Sequence, residues 1–140
     1  MAGFDLDRFV AAQAGIFPQA LAELKAGRKQ SHWMWFIFPQ IEGLGRSPMA
    51  TFYAIASAAE ARAFLAHPVL GPRLALSTAA VLAHRNLSAD AIFGGVDAMK
   101  LKSSMTLFEA IAADPAPFAA VLDAFFDAER DPATLTLLDG

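Results

Sequence analysis

Thirty-one of the 140 residues are alanine, whereas valine and isoleucine together number only 11. The apolar content therefore sits in the strongest helix former rather than in the β-branched residues that fill strands. That imbalance predicts an all-α fold. A chain that is 56% hydrophobic and 18% charged is no disordered polymer, but it raises the question of a membrane. The longest stretch free of Asp, Glu, Lys and Arg, Phe9 to Ala22, is 14 residues and contains Gln13, Pro18 and Gln19. A spanning helix needs about 18 apolar residues. The expectation is a soluble chain with no membrane partner.

A chain of this length buries enough surface for one core without metal or disulfide staples, and no linker divides it, so residues 1–140 read as a single compact domain. Punctuation cuts it into about six to eight short helices. Asp5 or Asp7 is placed to cap the first, Pro18 opens a new turn, and Gly27 stops it. Ser47-Pro48 and the capping box Ser57-Ala-Ala-Glu60 mark two further starts, and His67-Pro68 and Asn86-Leu-Ser88 two more. Gly94-Gly95 breaks the chain before a long helix from Val96 to Ala113. After Asp114-Pro115, residues Phe118, Val121, Leu122, Phe125 and Phe126 repeat at helical spacing, and Asp131-Pro132 starts a last turn.

Composition narrows the function classes. A net charge of −3, with one small basic cluster at Lys25, Arg28 and Lys29, argues against a nucleic-acid partner. The absence of cysteine removes disulfides, thiolate metal sites and thiol catalysis and fits a reducing cytoplasm. The N-terminal residues carry acids where a secretory signal would carry cations. His32, His67 and His84 lie far apart with no metal-ligand spacing, so no metal or other cofactor is expected.

Two segments depart from a plain helical pattern. Between Gly27 and Ile41 both tryptophans and His32 crowd against Arg28 and Lys29, and the segment reads as one helical turn inside an ordered loop. Rings such as Trp33 and Trp35 either pack a core or wall a site, while Lys29, His32 and Gln40 carry groups that orient a polar ligand. In the second segment Asp97, Lys100, Leu101, Ser104, Phe108 and Ile111 share one helix face, with Lys102, Thr106 and Glu109 opposite. Asp97, Lys100 and Ser104 thus interrupt an apolar stripe. Either Asp97 caps the helix and pairs with Lys100, or the three meet a ligand.

Taken together, Lys29-Gln-Ser-His-Trp-Met-Trp-Phe-Ile-Phe-Pro-Gln40, Leu44-Gly-Arg-Ser47 and Phe93-Gly-Gly-Val-Asp97 with Lys100-Leu-Lys-Ser-Ser-Met-Thr-Leu-Phe108 resemble the signature of a bacterial family called domain of unknown function eighteen-ten. The resemblance covers nearly the whole chain. It implies a compact all-helical domain and carries over no activity or catalytic residue.

Three functional readings follow. The first is a site for a small anionic or nucleotide-like ligand, with Lys29, His32, Trp33, Trp35, Gln40, Asp97, Lys100 and Ser104 as its candidate residues; His32 is the candidate acid or base, and whether a reaction occurs stays open. The second is a non-enzymatic interaction module or homodimer subunit using the Phe-rich C-terminal helix. The third, a metal enzyme, lacks any ligand cluster. A phosphate cradle at Gly94-Gly95 is opposed by Asp97 in the first turn after it.

Overall fold

The computed structural model describes residues 4–139, and among them the regular structure is entirely helical. In chain order the helices are α1 (Asp7–Gln13), α2 (Phe17–Lys25), α3 (Met34–Ile37), α4 (Pro48–Phe52), α5 (Ala58–Ala66), α6 (Leu70–Leu82), α7 (Ala89–Phe93), α8 (Gly95–Ile111), α9 (Ala116–Phe125) and α10 (Pro132–Asp139). One isolated parallel bridge joins Ile41 to Ile55.

Ten described helices exceed the six to eight expected, because single turns too short to show a hydrophobic period count separately. Serine caps explain three of the starts. Ser47, Ser57 and Ser88 accept hydrogen bonds from the amides of Ala50, Glu60 and Ala91 at 3.1, 3.2 and 3.0 Å, each satisfying an orphan donor. In the Ser57 box the Glu60 carboxylate takes the amide of Ala56 at 2.7 Å. Two expected caps are corrected. Leu6 stands at the α1 cap with no side-chain bond, which puts Asp7 inside the first turn. At α8 the cap is Gly94, at φ +82, so Asp97 lies too far along the first turn to serve.

α8 is the axis of the molecule and packs against α5, α7, α9 and α10. A chain of rings crosses it: Phe9 meets Phe64 edge to face at 5.1 Å, Phe64 meets Phe108 at 5.5 Å, and Phe108 meets Phe118 at 5.8 Å. The face expected to lie opposite the apolar stripe is covered as well. Thr106 is wholly buried because the segment before α10 lies over it, with the Asp131 amide donating to Thr106 Oγ1 at 3.0 Å and Arg130 paired to Glu109. On α9, Phe118, Val121 and Leu122 are buried, and Phe125 and the following Phe126 pack partly against the same core, so the broad apolar stripe is used internally. Among the described residues no single helix is long and apolar enough to cross a membrane.

Candidate functional site

The site is built where the loop after α2 comes back onto the start of α8. Gly27 makes the return possible. Its φ of +76 closes a Schellman turn, with the Arg28 amide bonded to the Glu23 carbonyl at 3.1 Å and its own amide to the Leu24 carbonyl at 3.0 Å. The His84 imidazole lies against it and bonds the Lys25 carbonyl at 2.8 Å. The Lys29 amide then donates to the Ile92 carbonyl at 2.8 Å, tying the loop to α7.

Glu23 organises the loop from inside. Its carboxylate accepts from the amides of Gln30 and Ser31 at 2.7 and 3.0 Å, from Ser31 Oγ at 2.6 Å, from Trp33 Nε1 at 3.0 Å and from Gln19 Nε2 at 3.1 Å. Partial burial works against the charged form, but the bonds from Ser31, Gln30 and Trp33 outweigh it and hold the carboxyl down at about 2. Sequence reasoning missed Glu23. Its only signal was a helix stop shortly after an acid, followed by a polar stretch that could turn back.

The two odd segments meet. Lys29 Nζ lies 2.8 Å from Asp97 Oδ2, and Lys100 Nζ lies 3.5 Å from Asp97 Oδ1. Each ammonium also stands over an indole: Lys29 is 5.1 Å from the Trp33 ring centroid and Lys100 is 5.0 Å from that of Trp35. Two cations share one carboxylate, and Asp97 sits in the first turn of α8, where the helix dipole favours an acid. The cluster is half-buried, with the Lys29 side chain only 8% exposed and that of Lys100 23%.

The remaining candidates divide. Trp33 is wholly buried and packs against Phe38 and Phe93, so it is a core residue that also floors Lys29. Trp35 is half-buried. His32 is exposed, and no hydrogen bond or ion pair of the described residues brings it to the cluster. Gln40 is held by its backbone, its carbonyl accepting from the Ile55 amide at 2.8 Å. Ser104 is wholly buried, further along the α8 face that carries Asp97 and Lys100. A cleft of about 350 Å³ opens at the other end of α8, lined by Arg62, Leu65, Ala66, Ile111, Ala112 and Ala113, and shares no residue with the cluster. Among the described residues no three His, Asp or Glu side chains gather as metal ligands would.

A long central helix wrapped by short ones, with paired lysines on indole faces at its N-terminal end, defines an all-α protein organised around its two distinctive segments. The chain belongs to the family described as protein of unknown function DUF1810, whose sequence model matches residues 3–138. It is similar to a conserved hypothetical protein from Mycobacterium tuberculosis, known from its crystal structure: the two are 47% identical over 98% of each chain, with a TM-score of 0.96. No curated protein matches the chain.

Proposed function

We propose that this protein binds a small anionic, nucleotide-like ligand between the Lys29–Gln40 segment and the start of α8. The observation that carries the reading is the shared carboxylate: Asp97 neutralises one of the two ammonium groups and leaves one positive charge in excess. It also answers the objection that Asp97 repels anions at this helix end, because both of its oxygens face lysines. Lys100 is the more exposed and more weakly held partner. A lysine presents three donors and Lys100 holds Asp97 at only 3.5 Å, so turning toward a phosphate costs about 1 kcal/mol or less in lost pairing. The half-buried Trp35 offers a flat apolar face beside that charge.

Calorimetric titration with AMP and ribose 5-phosphate tests the proposal against Lys100→Ala, which keeps the Lys29 to Asp97 contact. The wild type should bind at least one compound about tenfold more tightly than the variant, as one charge-assisted contact warrants. Equal binding by both proteins, or binding by neither, removes the reading.

A further inference from the structure

One buried polar group on the same helix has, among the described residues, no hydrogen-bond partner: the hydroxyl of Ser104, which is wholly buried. A helical hydroxyl ordinarily has one available in the carbonyl of the preceding turn. The other buried hydroxyls of α6 and α8 use it: Ser77 bonds Arg73 O at 2.8 Å, Thr78 bonds Leu74 O at 2.8 Å, Ser103 bonds Met99 O at 3.2 Å and Thr106 bonds Lys102 O at 2.8 Å. Ser104 makes no such bond to Lys100. Its direction is set by helix geometry. At about 100° per residue it lies roughly 20° from Asp97 and roughly 40° from Lys100 around the axis, about 6 Å of rise beyond Lys100. The Cα–Cβ bonds of a helix tilt toward its N-terminus, so the Ser104 Cβ is directed toward the turn that carries the lysine cluster.

We infer that Ser104 is the inner polar contact of the ligand site and that the ligand is a sugar phosphate, its phosphate on Lys100 and a neutral hydroxyl reaching Ser104. The inference rests on the anion-binding reading above and adds the class of compound. Ammonium groups act on phosphate as point charges and ask nothing of the rest of the ligand. A buried serine hydroxyl asks for one neutral donor or acceptor, and it discriminates strongly because a ligand lacking that group leaves it unpaired. Lys100 is the side chain that yields to admit the ligand, being held by one long ion contact and an indole face. An unpaired buried hydroxyl also burdens the ligand-free fold, a burden typical of binding groups.

The test separates a binding role from a packing role by sign. Wild type, Ser104→Ala and Lys100→Ala are titrated by calorimetry with ribose 5-phosphate and with inorganic phosphate, and each is melted without ligand. Ser104→Ala should bind ribose 5-phosphate about fivefold more weakly, the worth of one neutral hydrogen bond, bind inorganic phosphate as wild type does, and melt no lower than wild type. Should Ser104→Ala bind ribose 5-phosphate as tightly as wild type while Lys100→Ala weakens it, the Ser104 assignment falls and the lysine site stands. A Ser104→Ala protein that melts clearly below wild type also overturns it, since the hydroxyl then stabilises the fold. If wild type binds neither compound, the anion-binding reading fails and takes this inference with it.

Discussion

Lys29 Nζ reaches Asp97 Oδ2 at 2.8 Å, and this one contact closes the loop after α2 onto the first turn of α8. The burial of its partners decides its worth. Lys29 is nearly inaccessible, so removing Asp97 strands a poorly solvated ammonium, whereas Lys100 is more open and loses a weaker contact. Asp97→Ala should therefore destabilise by about 2–3 kcal/mol, nearer to a buried pair than to a surface one. Lys100→Ala should cost less than about 1 kcal/mol. Urea unfolding followed by tryptophan emission measures both, and equal losses would refute the ranking.

Glu23 makes the stability of the same loop depend on acid. Its folded carboxyl is held at about 2, below the ordinary range, so the unfolded chain binds the proton more readily. The stabilisation is complete above the unfolded pKa of about 4.3 and is lost as pH falls from there through about 2. Glu23→Gln keeps the shape and loses the charge-assisted bonds, which should cost about 2 kcal/mol at neutral pH and flatten this acid limb. Urea midpoints between pH 5 and pH 2.5 test the slope. Because Trp33 Nε1 donates to Glu23, indole emission should also shift in the variant at neutral pH.

Features encoded within one helical turn were legible in the sequence; those that depend on the chain returning were not. Ser47, Ser57 and Ser88 cap helices because their hydroxyls reach amides only a few residues on. Asp97 looked like a cap by the same rule, but Gly94 adopts the cap conformation and moves the acid inward, where it meets a lysine from another segment. The i,i+3 spacing anticipated the pairing of Asp97 with Lys100, but nothing in the sequence showed that Lys29 joins them. Glu23 carried no mark beyond the helix stop that follows it, since all its partners but Gln19, namely two amides, a hydroxyl and an indole, are gathered by the turn at Gly27. His32 looked chemically apt for a site because of its side chain alone, and it faces solvent.

Gly27 and Gly15 share a φ of +76, yet they should not be equally replaceable. A Cβ at Gly15 meets nothing within 4 Å, whereas one at Gly27 would lie 3.1 Å from the His84 ring and 3.2 Å from Leu87. Gly15→Ala should cost the left-handed backbone strain alone, about 1–2 kcal/mol. Gly27→Ala should cost at least 1 kcal/mol more as His84 is pushed from the Lys25 carbonyl, by analogy with about 1–3 kcal/mol for overpacking. Thermal unfolding of the two variants side by side would expose a mistaken reading, since equal losses mean that the imidazole yields freely.

Phe108 tests the independence of the core from the site. It is wholly buried on α8 and stacks on both Phe64 and Phe118, so it links α5, α8 and α9. Phe108→Ala should lower stability by about 3–5 kcal/mol through lost burial and the cavity left behind. Phe108 lies more than two turns past Lys100 and touches neither tryptophan ring in the aromatic contacts described, so the Lys29 and Asp97 pairing should survive wherever the variant remains folded. Double-mutant cycles with Asp97→Ala, measured in urea, should then give a coupling below about 0.5 kcal/mol. A larger value would mean that α8 transmits core strain to its N-terminal end, and the site would have to be treated as part of the core.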